Sequence, residues 1–447
     1  MVMDIQIIAP SGVMYGVRGG IFPRILRYAP LTLTTLAGLV PESLEAKISI
    51  IDEGVSSIDY DSRPDIVAIS AITGTSKRSY AIADYFRDRG TAVVLGGVHP
   101  TLMPEEAMQH ADSVVTGMAF ETWPQLLEDF SNGKMEPIYR SSSRPNLKNL
   151  PTPRRDLLED FSYISKGSAQ ATFGCPYTCD FCVVSVTSPK YIHRPIEDVI
   201  ADLDSMGKFI IFMDPSPTED RKYIIDLWRE MVPLKKIWGG LATVKIGDDP
   251  EMMDLAAESG CNGLLLGFET VSQEGVDIVN KSFNTVANYE TVCSSLHDRG
   301  IGINGTFIFG LDTDTGKSFD ETLEFVNKVK IDLPRFAIYT PFPGTPVFEK
   351  LKSEGRILTE DWTLYDGQHV VFEPKNMSPE ELREGHLRVW EETYGLKSIL
   401  HRSFGASGNP LLSIGSNLGY KYYADGLREF PNDKILELEE ANSPRIK

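Results

Sequence analysis

Residues 173–182 read FGCPYTCDFC and hold three of the five cysteines in a chain of 447 residues. Cys175, Cys179 and Cys182 follow the spacing C-x3-C-x2-C. Three thiols are too many for one disulfide. They are also one short of a closed zinc site, which normally takes four protein ligands, often as two close pairs. Thiolate sulfur suits iron–sulfur clusters too, and a [4Fe–4S] cube held by three cysteines leaves one iron open to another ligand. Cys261 and Cys293 stand alone in apolar runs and read as buried structural thiols. So few cysteines make no disulfide framework, and a reducing, cytoplasmic setting is the default.

Outward from this loop the chain alternates strand and helix signals. SAQATF (168–173) runs into the loop, and KFIIFMD (208–214), IWGGLATV (237–244), NGLLLGFE (262–269), GINGTFIFG (302–310) and RFAIYT (335–340) follow. Helical patterns at 195–206, 219–232, 249–259, about 272–299 and 316–329 separate them. Six such repeats predict an open, partial (β/α)6 barrel, whose chemistry belongs at the carboxyl ends of the strands. Asp214, Lys245, Glu269, Gly310 and Thr340 stand at or just past those ends.

Upstream, DIQIIAP, AKISIIDE, PDIVAISAI, TAVVLGG and DSVVTG alternate with helical stretches, which predicts a Rossmann-like, doubly wound parallel sheet. Its ligand edge would carry the loops 70–76, 96–101 and 117–121. Gly96, Gly97 and Gly117 there would let backbone approach a flat ligand. The division expected is 1–131 for this domain, 132–165 for a Pro-, Ser- and Arg-rich linker, 166–349 for the barrel and 350–447 for a small, mostly helical C-terminal domain. SPEELREGHLRVWEETYG should open a long helix with Ser378 as N-cap and Glu380 and Glu381 in its first turn.

The net charge of −19 argues against nucleic acid as the main partner. No apolar run reaches the roughly 18 residues of a membrane span. The first 25 residues lack a basic segment followed by an apolar one, so no secretory signal is expected.

C-x3-C-x2-C after the first strand of a six-fold βα barrel, with aromatic Phe181 before the last cysteine, resembles the radical S-adenosylmethionine (SAM) enzymes. YAPLTLTTLA, GGVHPTLMPEEAM, ADSVVTGMAFETWPQLL and PTPRRDLL resemble the cobalamin (B12)-binding domain fused to one large class of them. YIHRPIEDVI, SGCNGLLLGFETV, GTFIFGLDTDT and YTPFPGTPVFEKLKSEGRI fit the second half of that class. The branch it is most similar to contains hopanoid methylases and related lipid- or natural-product-modifying enzymes. Neither D-x-H-x-x-G nor G-E-x-E is present: the loop after strand one reads SGVMYGVRGG (11–20), and the third glycine loop reads GMAFE. The second barrel strand ends in MDPSPTED rather than a D-D-N-like motif.

The resemblance implies three cofactors: a [4Fe–4S] cluster on Cys175, Cys179 and Cys182, SAM on its open iron, and cobalamin. SAM contacts fall to Phe181, Asp214, Thr243, Glu269, Phe309 and Gly310. Cobalamin contacts fall to Ser70, Thr73, Gly96, Gly97, His99, Gly117 and Glu121, with a local hydrogen-bonding role favoured for His99 over cobalt ligation. The implied activity is methylation of an unactivated carbon of a lipid or natural-product small molecule. The alternative is cyclisation, ring rearrangement or carbon–carbon coupling without methyl transfer. An electron donor such as flavodoxin or ferredoxin would be a partner. A cofactor-sensing binding protein fits less well because the second half resembles the enzyme class nearly throughout, and a tRNA methylthiotransferase because no cysteine precedes Cys175. Two cofactors serving one substrate require the carboxyl edge of the N-terminal sheet to face the barrel mouth, with the pocket lined by 96–101, 117–121 and 214–218. PTPRRDLL and the apolar parts of 161–165 are candidates for the buried contact that enforces this.

Overall fold

The computed structural model describes residues 2–12, 28–159, 162–163, 165–188, 190–404 and 410–442. Most of SGVMYGVRGG (13–20) and residues 161 and 164 lie outside the described residues.

All five strands expected in the first domain form: β1 (Met3–Ala9), β2 (Ala46–Asp52), β3 (Ile66–Ser70), β4 (Ala92–Gly96) and β5 (Ser113–Thr116). A sixth, β6 (Ile138–Arg140), falls inside the stretch read as a linker. Its backbone pairs in parallel with β5, Val115 opposite Tyr139, so that part of 132–165 belongs to the sheet. The order is β2-β1-β3-β4-β5-β6, all parallel, reversing between β1 and β3. Strands buried on both faces carry apolar residues at successive positions. Ile66 and Ala68 pack with Trp123 and Leu126 on one face, while Val67 and Ile69 pack with Ile82 and Phe86 on the other.

The second sheet is parallel and six-stranded, in the order β14-β13-β12-β11-β10-β7. Its members are β7 (Ser168–Ala169), β10 (Phe209–Phe212), β11 (Ile237–Ala242), β12 (Cys261–Glu269), β13 (Gly302–Phe309) and β14 (Arg335–Ile338). Between β7 and β10 lies a short antiparallel pair, β8 (Thr172–Phe173) and β9 (Ile192–His193). The strand expected over 168–173 is therefore broken. The amides of Ala171 and Thr172 leave the ladder and donate to the carboxylate of Asp214. The helix expected over about 272–299 is likewise two, Gln273–Ile278 and Tyr289–His297, with Asn280 between them at φ 57°.

The arginines of PTPRRDLL join the two halves. The Arg154 amide donates to Thr34 O of the first domain at 2.8 Å. The Arg155 guanidinium reaches Asp202 at 2.8 Å and Ser168 O at 2.7 Å in the barrel. The C-terminal segment also grips the first domain, since Trp362 Nε1 donates to Glu106 at 3.1 Å and Lys77 pairs with Asp361. Among the described residues no helix is long and apolar enough to cross a membrane.

Helix Pro379–Thr393 starts at the expected capping box, with Ser378 and Glu381 exchanging bonds. It packs on the edge strand β14 through His386 and Trp390. His386 Nε2 and Trp390 Nε1 both lie within hydrogen-bond distance of Phe336 O on that strand, at 3.2 and 3.1 Å. Burial lowers the His386 pKa to about 4. An unfolded histidine titrates near 6.5, so stability from this group is complete above that pH and is lost as pH falls through about 4. The loss should approach about 3 kcal/mol. Urea midpoints of the wild type should fall between pH 6.5 and 4 more steeply than those of His386→Gln; parallel curves would refute the assignment.

Candidate active site

Gly174 turns the chain into the cysteine loop at φ 72°. A Cβ there would lie 2.1 Å from Lys190 O, so no other residue fits. Cys179 is buried, while Cys175 and Cys182 are half-buried. Burial pushes the Cys179 thiol up to about 12, partly opposed by the charge of Lys281. Cys182 leads helix Val183–Thr187, and Ser185 Oγ donates to its carbonyl at 2.6 Å. The far side of the loop is stapled to the broken-helix segment. Asn280 Nδ2 donates to Thr178 O and Oγ1, both at 2.8 Å, and the Asp180 amide donates to Val279 O. Tyr177 stacks on Phe283 at 3.8 Å, and Phe181 meets Tyr339 edge-on at 6.1 Å.

This loop fits an iron–sulfur cube better than one metal ion. Among the described residues no three His, Cys, Asp or Glu side chains close around a single ion. A cube takes its thiolates at separate corners. Cys261 and Cys293 are buried in the barrel core with apolar side chains, away from the loop, as expected of structural thiols.

Glu269 ends β12 at φ 64°, a conformation that costs a non-glycine residue about 1–3 kcal/mol and is kept only where its surroundings enforce it. Here Lys281 enforces it. Lys281 pairs with the Glu269 carboxylate and donates to Gly267 O at 3.0 Å, and both side chains are about nine-tenths buried. Asn284 also donates to Gly267 O, at 2.9 Å, and Tyr289 to Phe268 O. A Cβ on Gly267 would sit 2.3 Å from Glu269 Oε1. The helix breaks at 279 because the chain must bring Lys281 and Asn284 back to the strand end. Glu269 also bears electrostatically on Cys179 and Cys182, so it stands beside the cysteine loop.

Other residues expected at SAM lie elsewhere. Asp214 is fully buried and accepts from Ala171 N, Thr172 N and Thr172 Oγ1, so it braces the base of the loop rather than facing the mouth. The Thr243 hydroxyl is committed to Glu219 at 2.9 Å. Glu219, unmarked in the sequence, is a hub: it also takes Tyr177 OH and lies 3.7 Å from Lys245. Phe309 turns to the helix layer, against Phe319 and Phe336. The Gly310 amide is held by Asp314 at 2.9 Å.

The carboxyl edge of the first sheet does face the cysteine loop. A cavity of about 590 Å³ lies between them. Ser70, Gly96, Gly97 and Gly117 line one side, and Gln170, Phe173, Thr187 and Ser188 the other. Phe120 and Phe173 meet edge-on across it at 5.2 Å. Gly97, at φ 101°, leaves no room for a Cβ, which would fall 2.7 Å from Ala71 O. Thr101, the last residue of the expected 96–101 loop, ties the edge together: its hydroxyl donates to Gly97 O at 2.7 Å and accepts from the Gly117 amide at 2.9 Å. Ala71, Gly96, Gly97 and Gly117 keep part of this edge nearly free of side chains, which suits the close approach of a flat macrocycle. Residues 214–218 are not in the lining, because their chain is turned inward by Asp214. Thr73 and His99 are buried behind the edge, with His99 between Thr73 (3.4 Å) and Glu106 (3.2 Å). Glu121 is exposed and accepts from Asn146 N.

Residues 170–326 match the Radical SAM superfamily, and residues 32–127 match the B12 binding domain. The chain is 34% identical to bacteriochlorophyllide d C-12(1)-methyltransferase of Chlorobaculum tepidum, over 84% of this chain and 85% of that one. It is 30% identical to bacteriochlorophyllide d C-8(2)-methyltransferase of the same organism, over 88% and 91%. The fold matches the radical S-adenosylmethionine methyltransferase TsrM from Kitasatospora setae, solved with cobalamin and a [4Fe–4S] cluster bound. The TM-score is 0.68 at 15% identity, covering 99% of this chain and all of that one.

Proposed function

Since this chain belongs to the family of cobalamin-binding radical SAM enzymes, we propose that it methylates an unactivated carbon of an apolar ring acid, with chlorin-type tetrapyrroles as the first candidates. The observation that carries this reading is the single cavity shared by the glycine edge and the cysteine loop. A substrate there lies within reach of both cofactors, and such positioning supplies much of a rate. Two relatives at 30% identity or more are named for methylating bacteriochlorophyllide d, which supports the substrate class.

When bound, the cluster with SAM supplies one-electron chemistry at carbon, and cobalamin supplies a transferable methyl group. The chain's own residues do the rest. Cys175, Cys179 and Cys182 would hold the cluster, and Asp214, Asn280 and Glu219 keep their loop in place. Glu269, fixed by Lys281, would accept hydrogen bonds from SAM. Gly96, Gly97 and Gly117 would admit the macrocycle, and Phe120 and Phe173 narrow the passage and exclude water. The reading needs a one-electron donor of the flavodoxin or ferredoxin kind, and a small-molecule rather than nucleic-acid substrate. The functional units would divide near residues 140, 165 and 349, with β6 the last strand of the first.

The test is anaerobic incubation of the reconstituted enzyme with methyl-labelled SAM and bacteriochlorophyllide d. Label in the chlorin product is expected. An unlabelled, ring-closed product would replace methylation with cyclisation.

His99 has both ring nitrogens engaged behind the edge. Paramagnetic resonance of the Co(II) cobalamin-loaded protein should therefore show no imidazole splitting, with an unchanged spectrum in His99→Ala. Splitting lost in that variant would make His99 a cobalt ligand.

A further inference from the structure

A second cavity, of about 340 Å³, occupies the barrel lumen towards the amino-terminal ends of β12 and β13. Gly239, Gly240, Gly263 and Gly302 line it, so four positions on neighbouring strands leave the lumen open where side chains would normally fill it. Tyr28 and Met213 line both this cavity and the interface cavity, which makes the two adjacent.

Arg335 gives this space its chemistry. It stands on β14 beside Thr306 of β13 and lines the cavity. Among the described residues it forms no ion pair; its guanidinium hydrogen-bonds with the Tyr28 hydroxyl and lies 5.3 Å from the centre of the Tyr420 ring. Its Nε is buried without a hydrogen-bond partner, and so is Oδ1 of Asn304 in the same lining. Asp332, also in the lining, is committed elsewhere. It accepts from the Ile303 amide at 2.8 Å and faces His297 at 2.9 Å. A half-buried guanidinium that lines a cavity with no counter-charge is placed to receive an anion, and its planar fork matches a carboxylate.

We propose that the lower lumen is a substrate subsite in which Arg335, with Asn304 beside it, receives the carboxylate of the organic substrate. The apolar body of that substrate would extend through the Tyr28–Met213 junction to the interface cavity. Arg335 then selects free acids over their neutral esters and sets which carbon reaches the cysteine loop. This rests on the proposed function only for the substrate's identity.

Two probe pairs test it on the full chain: protoporphyrin IX against its dimethyl ester, and dodecanoate against methyl dodecanoate. The wild type should bind each acid more tightly than its ester. Arg335→Gln should weaken acid binding about 10- to 100-fold, the usual weight of a charge-assisted contact, and leave ester binding within about two-fold. Arg335→Lys should keep part of the preference, and its retained charge guards against a folding artefact. Acid binding unchanged in Arg335→Gln, or lost equally with ester binding in both variants, overturns the subsite. If no tetrapyrrole is methylated but dodecanoate still depends on Arg335, the subsite stands and the tetrapyrrole assignment falls.

Discussion

With Cys175, Cys179 and Cys182 all replaced by alanine, anaerobic reconstitution is expected to leave iron near zero, against about four per chain in the wild type. Reductive SAM cleavage should vanish with it. The effect should be this complete because the two other thiols, Cys261 and Cys293, are buried in the barrel core and cannot substitute. The fold should survive. The loop is held by Asp214 at its base and by Asn280 and Asp180 on its far side, none of which needs the sulfurs. Iron content and melting temperature measured together check this. Iron retained at wild-type level would place the cluster elsewhere, and loss of the fold would show that the thiols also carry structure.

Glu269→Ala should produce the second largest effect, in two separable parts. Removing the carboxylate leaves the Lys281 ammonium buried and uncompensated, at a cost of about 3–5 kcal/mol in stability. Removing it also takes away the acceptor offered to SAM, so SAM affinity and cleavage should fall while iron content holds. Pairing the change with Lys281→Met should restore most of the stability, because an apolar side chain then replaces the stranded charge. SAM cleavage should stay low in the double variant. Recovery of cleavage together with stability would make Glu269 a structural residue only.

Much of the architecture was legible in the chain itself. Five strands of the first sheet, the barrel strands after the cysteine loop and the Ser378 cap all announce themselves within a few residues, through apolar runs and turn chemistry. β6 did not, because Ile138–Arg140 is three residues long and becomes a strand only by pairing with β5. The break in SAQATF and the divided helix after 278 were hidden for the same kind of reason. Asp214 draws two amides out of a ladder from 42 and 43 positions away, and Lys281 returns to Gly267 and Glu269 across a helix.

The candidate site divides along the same line. The three thiols stand out because C-x3-C-x2-C crowds them into one loop, and the edge glycines are marked by the turns they permit. The sequence by itself therefore determined the fold class, the cofactor set and the place of the three-thiol loop after the first barrel strand. Only the tertiary structure decided which strand-end side chains reach the cavities and which turn away. It turned Asp214 inward and Phe309 to the helix layer, placed His99 behind the edge, locked Glu269 with Lys281, and brought Arg335 into a cavity. The physical reason is range. Spacing and periodicity record interactions within a turn or a strand, whereas a buried charge takes its partner from wherever the packed fold supplies one.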